Sequence, residues 1–240
     1  MIQIHHGDCI DVLDNFPEGS AAHCVTDPPY PANFLPVLAE CWKRCARVVR
    51  TDGFLFVMSG QLHIRSVMQG IESAGWKYCW IGNFQVSHTR TAIWPRGISA
   101  AWKPLLIYGR DRLKFKHWTM DTICSDAADA SAKKYHEWGQ DVGSFRTLLR
   151  RFDLTGPILD PFAGSGTTGV ACAELGIDFT GIEIDAKNCE TAERRINQAW
   201  NSMPLLEPSK RVATFAFADL NDSKECVATV NIADRKRVKE

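Results

Sequence analysis

The sequence predicts an α/β protein, a doubly wound, mostly parallel sheet with helices on both faces. Short apolar runs alternate with stretches of helical periodicity along most of the chain. The runs are apolar at consecutive positions, as strands covered on both sides must be. Two of them stop abruptly at turn-forming sequences, Asp27-Pro28-Pro29-Tyr30 and the glycine-rich Asp160 to Gly169. In such sheets ligands bind beyond the carboxyl ends of the strands, so both turns are candidate site loops.

The elements follow in order. Ala22 to Thr26 is a strand ending at Asp27. Leu35, Leu38, Trp42, Cys45 and Val49 fall on one helical face, and Thr51-Asp52-Gly53 ends that helix. Phe54 to Met58 is a compact strand closed by Ser59-Gly60, and Ile64, Val67, Met68 and Ile71 mark a second amphipathic helix stopped by Gly75. Leu105 to Tyr108 is a further strand, preceded by Trp102, which its neighbourhood assigns to the core. Gly156 to Asp160 leads into the glycine turn, Thr167 to Leu175 is helical, Phe179 to Glu183 is a strand, and Ala186 to Trp200 is a helix with Ala192, Ile196 and Ala199 on one face. From about residue 208 onward the chain is of mixed charge and reads as an appendage.

With 240 residues, 45% hydrophobic and 23% charged, the chain has the length and composition of one large globular domain, or one domain with an insertion. Nine scattered cysteines without a C-x-x-C pair, and a beginning without a basic and apolar leader, predict reduced thiols in a cytoplasmic protein. Cys41 and Cys45 lie one helical turn apart without further ligands at metal spacing, which favours core packing, and no metal is expected. No apolar run reaches about 18 residues, so no membrane association is expected.

In the glycine turn the backbone must reverse tightly and admit a ligand to a helix N-terminus. No Lys follows either glycine, which excludes a phosphate-cradling P-loop; Gly164, Gly166 and Gly169 fit a dinucleotide-type spacing. The next strand ends in Gly181-Ile182-Glu183-Ile184-Asp185, placing an acid about 20 residues on, where a carboxylate binds ribose hydroxyls. An adenosine-containing cofactor follows. Asp27-Pro28-Pro29-Tyr30 presents acceptors only, since prolines donate no N–H. A group with two N–H donors would suit the Asp27 carboxylate and the Pro28 carbonyl, and Tyr30 could stack on a flat ring.

Together the two motifs resemble those of the S-adenosylmethionine-dependent DNA amino-methyltransferases, which modify N6 of adenine or N4 of cytosine. The order, catalytic loop first and cofactor turn some 130 residues later, is similar to the permuted group called β. Ile4 to Cys9, Arg47 to Val57 and Ala186 to Ile196 resemble further family passages, so the likeness covers roughly residues 1–110 and 136–206. It implies a Rossmann-like methyltransferase sheet with a catalytic half at 1–108, a short target-recognition insertion at 109–135, a cofactor half at 136–206 and an appendage at 207–240. Asp27, Pro28, Pro29 and Tyr30 would be catalytic. Asp8, Cys9, Asp160, Phe162, Gly164, Gly166, Thr167 and Glu183 would bind S-adenosylmethionine. Two positions depart from the family pattern: Trp80-Ile81-Gly82-Asn83 lacks the usual Lys, and His136 to Asp141 stands where His-Pro-x-x-Lys-Pro is common.

The implied reaction is methylation of a base amine flipped out of double-stranded DNA, as in restriction–modification systems, with adenine favoured because many cytosine-N4 members carry Ser at the head of the loop. Cytosine-C5 chemistry needs a Pro-Cys nucleophile, and none of the eleven prolines precedes a cysteine. Methylation of RNA or of a protein glutamine, and a binder without chemistry, are the alternatives; the former more often carry Asn at position 27 and place the cofactor turn first. Between Val86 and Trp118 the chain carries Arg90, Arg96, Lys103, Arg110, Arg112, Lys114 and Lys116 against Asp111 alone, interleaved with aromatics. Arg90, Arg96, Arg110, Arg112, Lys114 and Lys116 are therefore the expected DNA contacts. The net charge of zero is then an average over a basic surface and an acidic one that includes Asp8, Asp27, Asp160, Glu183 and Asp185. The short recognition segment implies low specificity or a homodimer.

Overall fold

The computed structural model describes residues 1–85, 91–93, 96–111, 113–124, 141–202, 212–217 and 226–231. In chain order these form β1 (Ile2–His6), α1 (Cys9–Asp14), β2 (His23–Thr26), a 3-10 turn (Ala32–Phe34), α2 (Leu35–Val48), β3 (Phe54–Met58), α3 (Ile64–Ser73) and β4 (Lys77–Gln85). Then come β5 (Thr91–Ile93), β6 (Ile98–Ala100), β7 (Trp102–Gly109), β8 (Thr122–Ile123), α4 (Val142–Arg151), β9 (Ile158–Asp160), α5 (Thr167–Leu175), β10 (Phe179–Glu183), α6 (Ala186–Ser202), β11 (Val212–Phe217) and β12 (Cys226–Asn231).

Among the described residues one ten-stranded sheet runs β12-β11-β1-β10-β9-β2-β3-β7-β4-β8, with β5 and β6 forming a separate hairpin. Strands β1, β10, β9, β2 and β3 are mutually parallel, as the sequence predicts, and β11, from the stretch read as an appendage, adds to the sheet parallel to β1. β7 runs antiparallel to both β3 and β4, and β12 antiparallel to β11. The sheet is therefore Rossmann-like and mixed, with its reversal at β7.

Both faces are covered, and alternate strand residues divide between two cores. Ile4, Phe54, Phe56, Met58, Leu105, Ile107 and Ile158 pack on the side of α4, α5 and α6. Cys24, Leu55, Val57, Leu106, Tyr108, Leu159 and Ile182 pack under α1, α2 and α3. Helix α2 carries Pro36 in its first turn, where a missing N–H costs nothing, and buries Leu38, Cys41, Trp42, Cys45 and Ala46 along one stripe. Helix α5 buries every residue from Thr167 to Ala173, because it is wedged between α4, α6 and the sheet. Cys41 and Cys45 are fully buried with their sulfurs 3.9 Å apart, packing as small apolar groups. Trp102 departs from expectation: it is 40% exposed, at the start of β7, which pairs there with β4 but extends past the end of β3. No helix among the described residues is long and apolar enough to cross a membrane.

Candidate active site

β2 and β9 are neighbours, yet the chain leaves them in opposite directions: β2 connects through α2 to β3, and β9 through α5 to β10. That reversal opens a crevice at their carboxyl ends. Asp27 follows the last residue of β2, and Asp160 is the last residue of β9, so the topology itself brings the two sequence motifs together.

A buried network ties them. Asp160, 2% exposed, accepts from Thr26 Oγ1 at 2.7 Å, Thr168 Oγ1 at 2.6 Å and the Phe162 N–H at 3.1 Å. Burial pushes its carboxyl up to about 6; the three donors work against that rise, and the charge of Asp27 adds to it. Asp160 thus couples the end of β2 to the start of α5, with its carboxylate turned into the protein.

The glycine turn takes the form that its residues require. Gly164 and Gly166 have φ of 53° and 81°, in the left-handed region. A Cβ on Gly166 would stand 2.8 Å from Ala192 Cβ of α6, whereas one on Gly164 would meet nothing within 4 Å. Glu183, at the end of β10, accepts from the Gly164 N–H at 2.8 Å and the Asp185 N–H at 2.9 Å through separate oxygens. Beneath the turn lies Arg195, 8% exposed, donating to the Ser165 carbonyl at 2.6 Å and Ser165 Oγ at 2.8 Å. Across from it, Asp8 caps α1 by accepting from the Ile10 N–H at 2.8 Å, and Cys9 is buried among the residues under α1 and α2.

In the loop after β2, Asp27 is held from two sides. The Tyr30 hydroxyl donates to Oδ1, and Lys103 Nζ donates to Oδ2 at 3.1 Å. The same ammonium stands 4.8 Å from the centroid of the Tyr30 ring. Burial, then the charge of Asp27 and the hydrogen bond to it, push the Tyr30 hydroxyl well above its ordinary value, so it stays a donor. Gly60, after β3, lies against the Tyr30 ring: a Cβ there would touch its carbons at 3.4 Å.

Comparison with known proteins bears on the fold. The family described as DNA methylase (N6_N4_Mtase) matches residues 146–194, which hold the glycine turn and Glu183. YubD of Escherichia coli (strain K12), itself a candidate methylase by name, is 26% identical over 217 residues, 85% of this chain and 93% of its own length. The type II methyltransferase M2.LlaDCHI of Lactococcus lactis subsp. cremoris is 27% identical over 175 residues, 65% of each chain. Among solved structures, M1.HpyAVI in complex with SAM superimposes with a TM-score of 0.67 at 24% identity, covering 82% of this chain and 100% of the other. The cytosine-N4-specific PvuII DNA methyltransferase superimposes equally well, with a TM-score of 0.67 at 14% identity over 82% of this chain and 90% of its own. The chain carries the N6/N4 DNA methylase match at residues 146–194 and is similar to a methylase over 85% of its length.

The expected DNA residues scatter. Arg96, Lys114 and Lys116 are exposed, while Arg90 and Arg112 lie outside the described residues. Lys114 and Lys116 flank Phe115, whose ring is drawn inward and stacks on Phe54 at 4.4 Å, at the start of β3 and away from the edge that holds Asp27. Arg110 is at the far end of β7 from Lys103, and its guanidinium donates to the Ala46 carbonyl near the end of α2. Exposed aromatics remain: Trp80 is 51% exposed, and Trp118 is fully exposed. Sequence reasoning missed Lys103, Thr26, Thr168 and Arg195 as site residues. Only Lys103 carried a signal, as part of the basic stretch, and that signal pointed to DNA instead of Asp27.

Proposed function

We propose that this protein transfers a methyl group from S-adenosylmethionine to the exocyclic amine of a base flipped out of double-stranded DNA, at N6 of adenine. The observation that carries the proposal is the pairing of Asp27, with Pro28 and Pro29 beside it, to the glycine turn through Thr26 and Asp160. Two acceptors and no backbone N–H donor meet there in one crevice.

The residues fit the cofactor. Each Glu183 oxygen spends one lone pair on a backbone N–H and keeps another, enough to accept from two vicinal ribose hydroxyls. The open space beside Gly164 leaves a path for the ligand to the N-terminus of α5. Bound there, S-adenosylmethionine supplies a methyl group already activated on a sulfonium. The work left to the chain is positioning and electrostatics. Asp27 and the Pro28 carbonyl accept the two amine hydrogens, which favours a pyramidal nitrogen with its lone pair aimed along the transfer axis. The Tyr30 hydroxyl keeps the Asp27 side chain in place, and the Tyr30 ring offers a flat partner for the base. Extrusion of that base costs a few kcal/mol of stacking and pairing. Asp at position 27 is the feature that favours adenine over cytosine.

The test is transfer of labelled methyl from S-adenosylmethionine to DNA, RNA and protein, followed by digestion and identification of the modified unit. N6-methyldeoxyadenosine is expected. N4-methyldeoxycytidine would overturn the choice of base, and label in RNA or protein alone would overturn the DNA substrate. Asp27→Ala should lower transfer by at least about a hundredfold with cofactor affinity retained; an active variant would remove Asp27 from the mechanism.

A further inference from the structure

We propose that Lys103 is a positioning residue for this reaction: its ammonium holds the Asp27 carboxylate in the orientation that receives the target amine. The inference rests on the methyl-transfer reading above and adds to it a residue from a different element. Lys103 reaches the site because β7 reverses. Met58, the last residue of β3, pairs with Leu105, so the residues before Leu105 extend past the carboxyl end of β3, onto the edge where Asp27 stands.

The contact is built into the fold and is not a surface ion pair. Lys103 and Asp27 side chains are only 19% and 20% exposed. The backbone of Lys103 is fixed in register opposite Phe84 of β4, and the carbonyl of Trp102 before it accepts from Gln61 Nε2 at 2.7 Å. Two prolines follow Asp27, so the loop lacks the two backbone N–H groups that would otherwise steady the carboxylate. That task falls to two side chains, Tyr30 on one oxygen and Lys103 on the other. Each oxygen keeps a further lone pair, so the amine can be received without displacing either donor. Lys103 also stands over the Tyr30 ring, so one cation fixes both functional side chains of the loop. Its charge is therefore committed to Asp27 and does not belong with the phosphate-neutralising residues of the basic stretch.

The experiment compares wild type, Lys103→Met and Lys103→Arg in methyl transfer to DNA, with cofactor affinity and thermal midpoint measured on the same samples. Misplacing a reacting group by about 1 Å costs about a hundredfold in rate. Lys103→Met should therefore lose on the order of 10- to 100-fold in kcat, with KM for DNA, cofactor affinity and midpoint little changed. Lys103→Arg, which keeps the cation, should recover most of the loss. A kcat for Lys103→Met within about twofold of wild type would overturn the proposal. So would a rise in KM for DNA alone, which would make Lys103 a phosphate contact. A parallel loss of cofactor affinity and midpoint, unrescued by Arg, would make it structural only. Failure of the wild type to methylate DNA would overturn the methyl-transfer reading and this proposal together, whereas a wild type that methylates while Lys103→Met matches it overturns this proposal alone.

Discussion

Asp160 has two opposed influences on its proton. Thr26, Thr168 and the Phe162 N–H stabilise the carboxylate, while complete burial and the nearby charge of Asp27 disfavour it, and the balance leaves the carboxyl at about 6 instead of 3.8. The sign follows from linkage. Below pH 4 the group is protonated both folded and unfolded; between about 4 and 6 the folded state binds the proton more tightly, so stability falls as pH rises through that window. A shift of this size corresponds to about 3 kcal/mol. Asp160→Asn should flatten that slope, which thermal midpoints from pH 4 to 6.5 would reveal. A parallel slope in both proteins would assign the effect elsewhere. Arg195 acts on the neighbouring turn. Removing its guanidinium leaves the buried Ser165 carbonyl without a charged donor, at a cost of about 2 kcal/mol. Arg195→Met should accordingly weaken cofactor binding more than DNA binding, as titration calorimetry with each ligand would report.

Helix α5 shows why glycine spacing has a meaning beyond the turn. A Cβ on Gly169 would stand 2.5 Å from Ile196 Cδ1 and 2.7 Å from Phe179 Cε1, so the helix lies against β10 and α6 only because that side chain is missing. Gly169→Ala should cost about 1–3 kcal/mol, as overpacking does, measurable as a lower denaturant midpoint with unchanged slope. The elements that the sequence made legible are those with a strong period: α2, α3, β3, α5 and β10 lie where their apolar residues place them. Helix α4 was also readable, since Asp141 caps it and Val142, Phe145, Leu148 and Leu149 share a face, but it follows a segment without pattern. What apolar pattern cannot convey is strand direction, because a run such as Leu105 to Tyr108 packs equally well either way. Direction decides the site here. Reversal of β7 sends Lys103 to Asp27 and Arg110, seven residues on, about 23 Å away to the opposite edge. In the sequence both are cations of one basic stretch, and nothing in it separates the two ends of the strand.

At the scale of the whole molecule, the Asp27 loop and the glycine turn come from distant parts of the chain that share one sheet. β1, the first strand, pairs with β10, placing the chain's start inside the cofactor side of the sheet. β2 and β9 meet at His23↔Ile158 and Cys24↔Leu159, and the side-chain bond from Thr26 to Asp160 continues that seam into the site. Aromatic contacts cross it again: Phe56 to Phe152 at 5.0 Å, Phe84 to Phe145 at 5.5 Å and Phe115 to Phe152 at 4.9 Å. Neither side could keep its core if the other unfolded. A single cooperative transition is therefore expected, and the proposed cofactor, although held mainly by the glycine turn and Glu183, should stabilise all of it. At a hundred times its dissociation constant a ligand adds about 2.7 kcal/mol, which for a domain of this size raises the midpoint by roughly 5–10 °C. Tryptophan emission, with Trp42 and Trp76 under α2 and α3 on one side and Trp200 on α6 on the other, and far-ultraviolet dichroism should report the same midpoint and the same upward shift. Two midpoints, with only one moving as S-adenosylmethionine is added, would show that the two sides unfold independently and that the seam between β2 and β9 does not unite them.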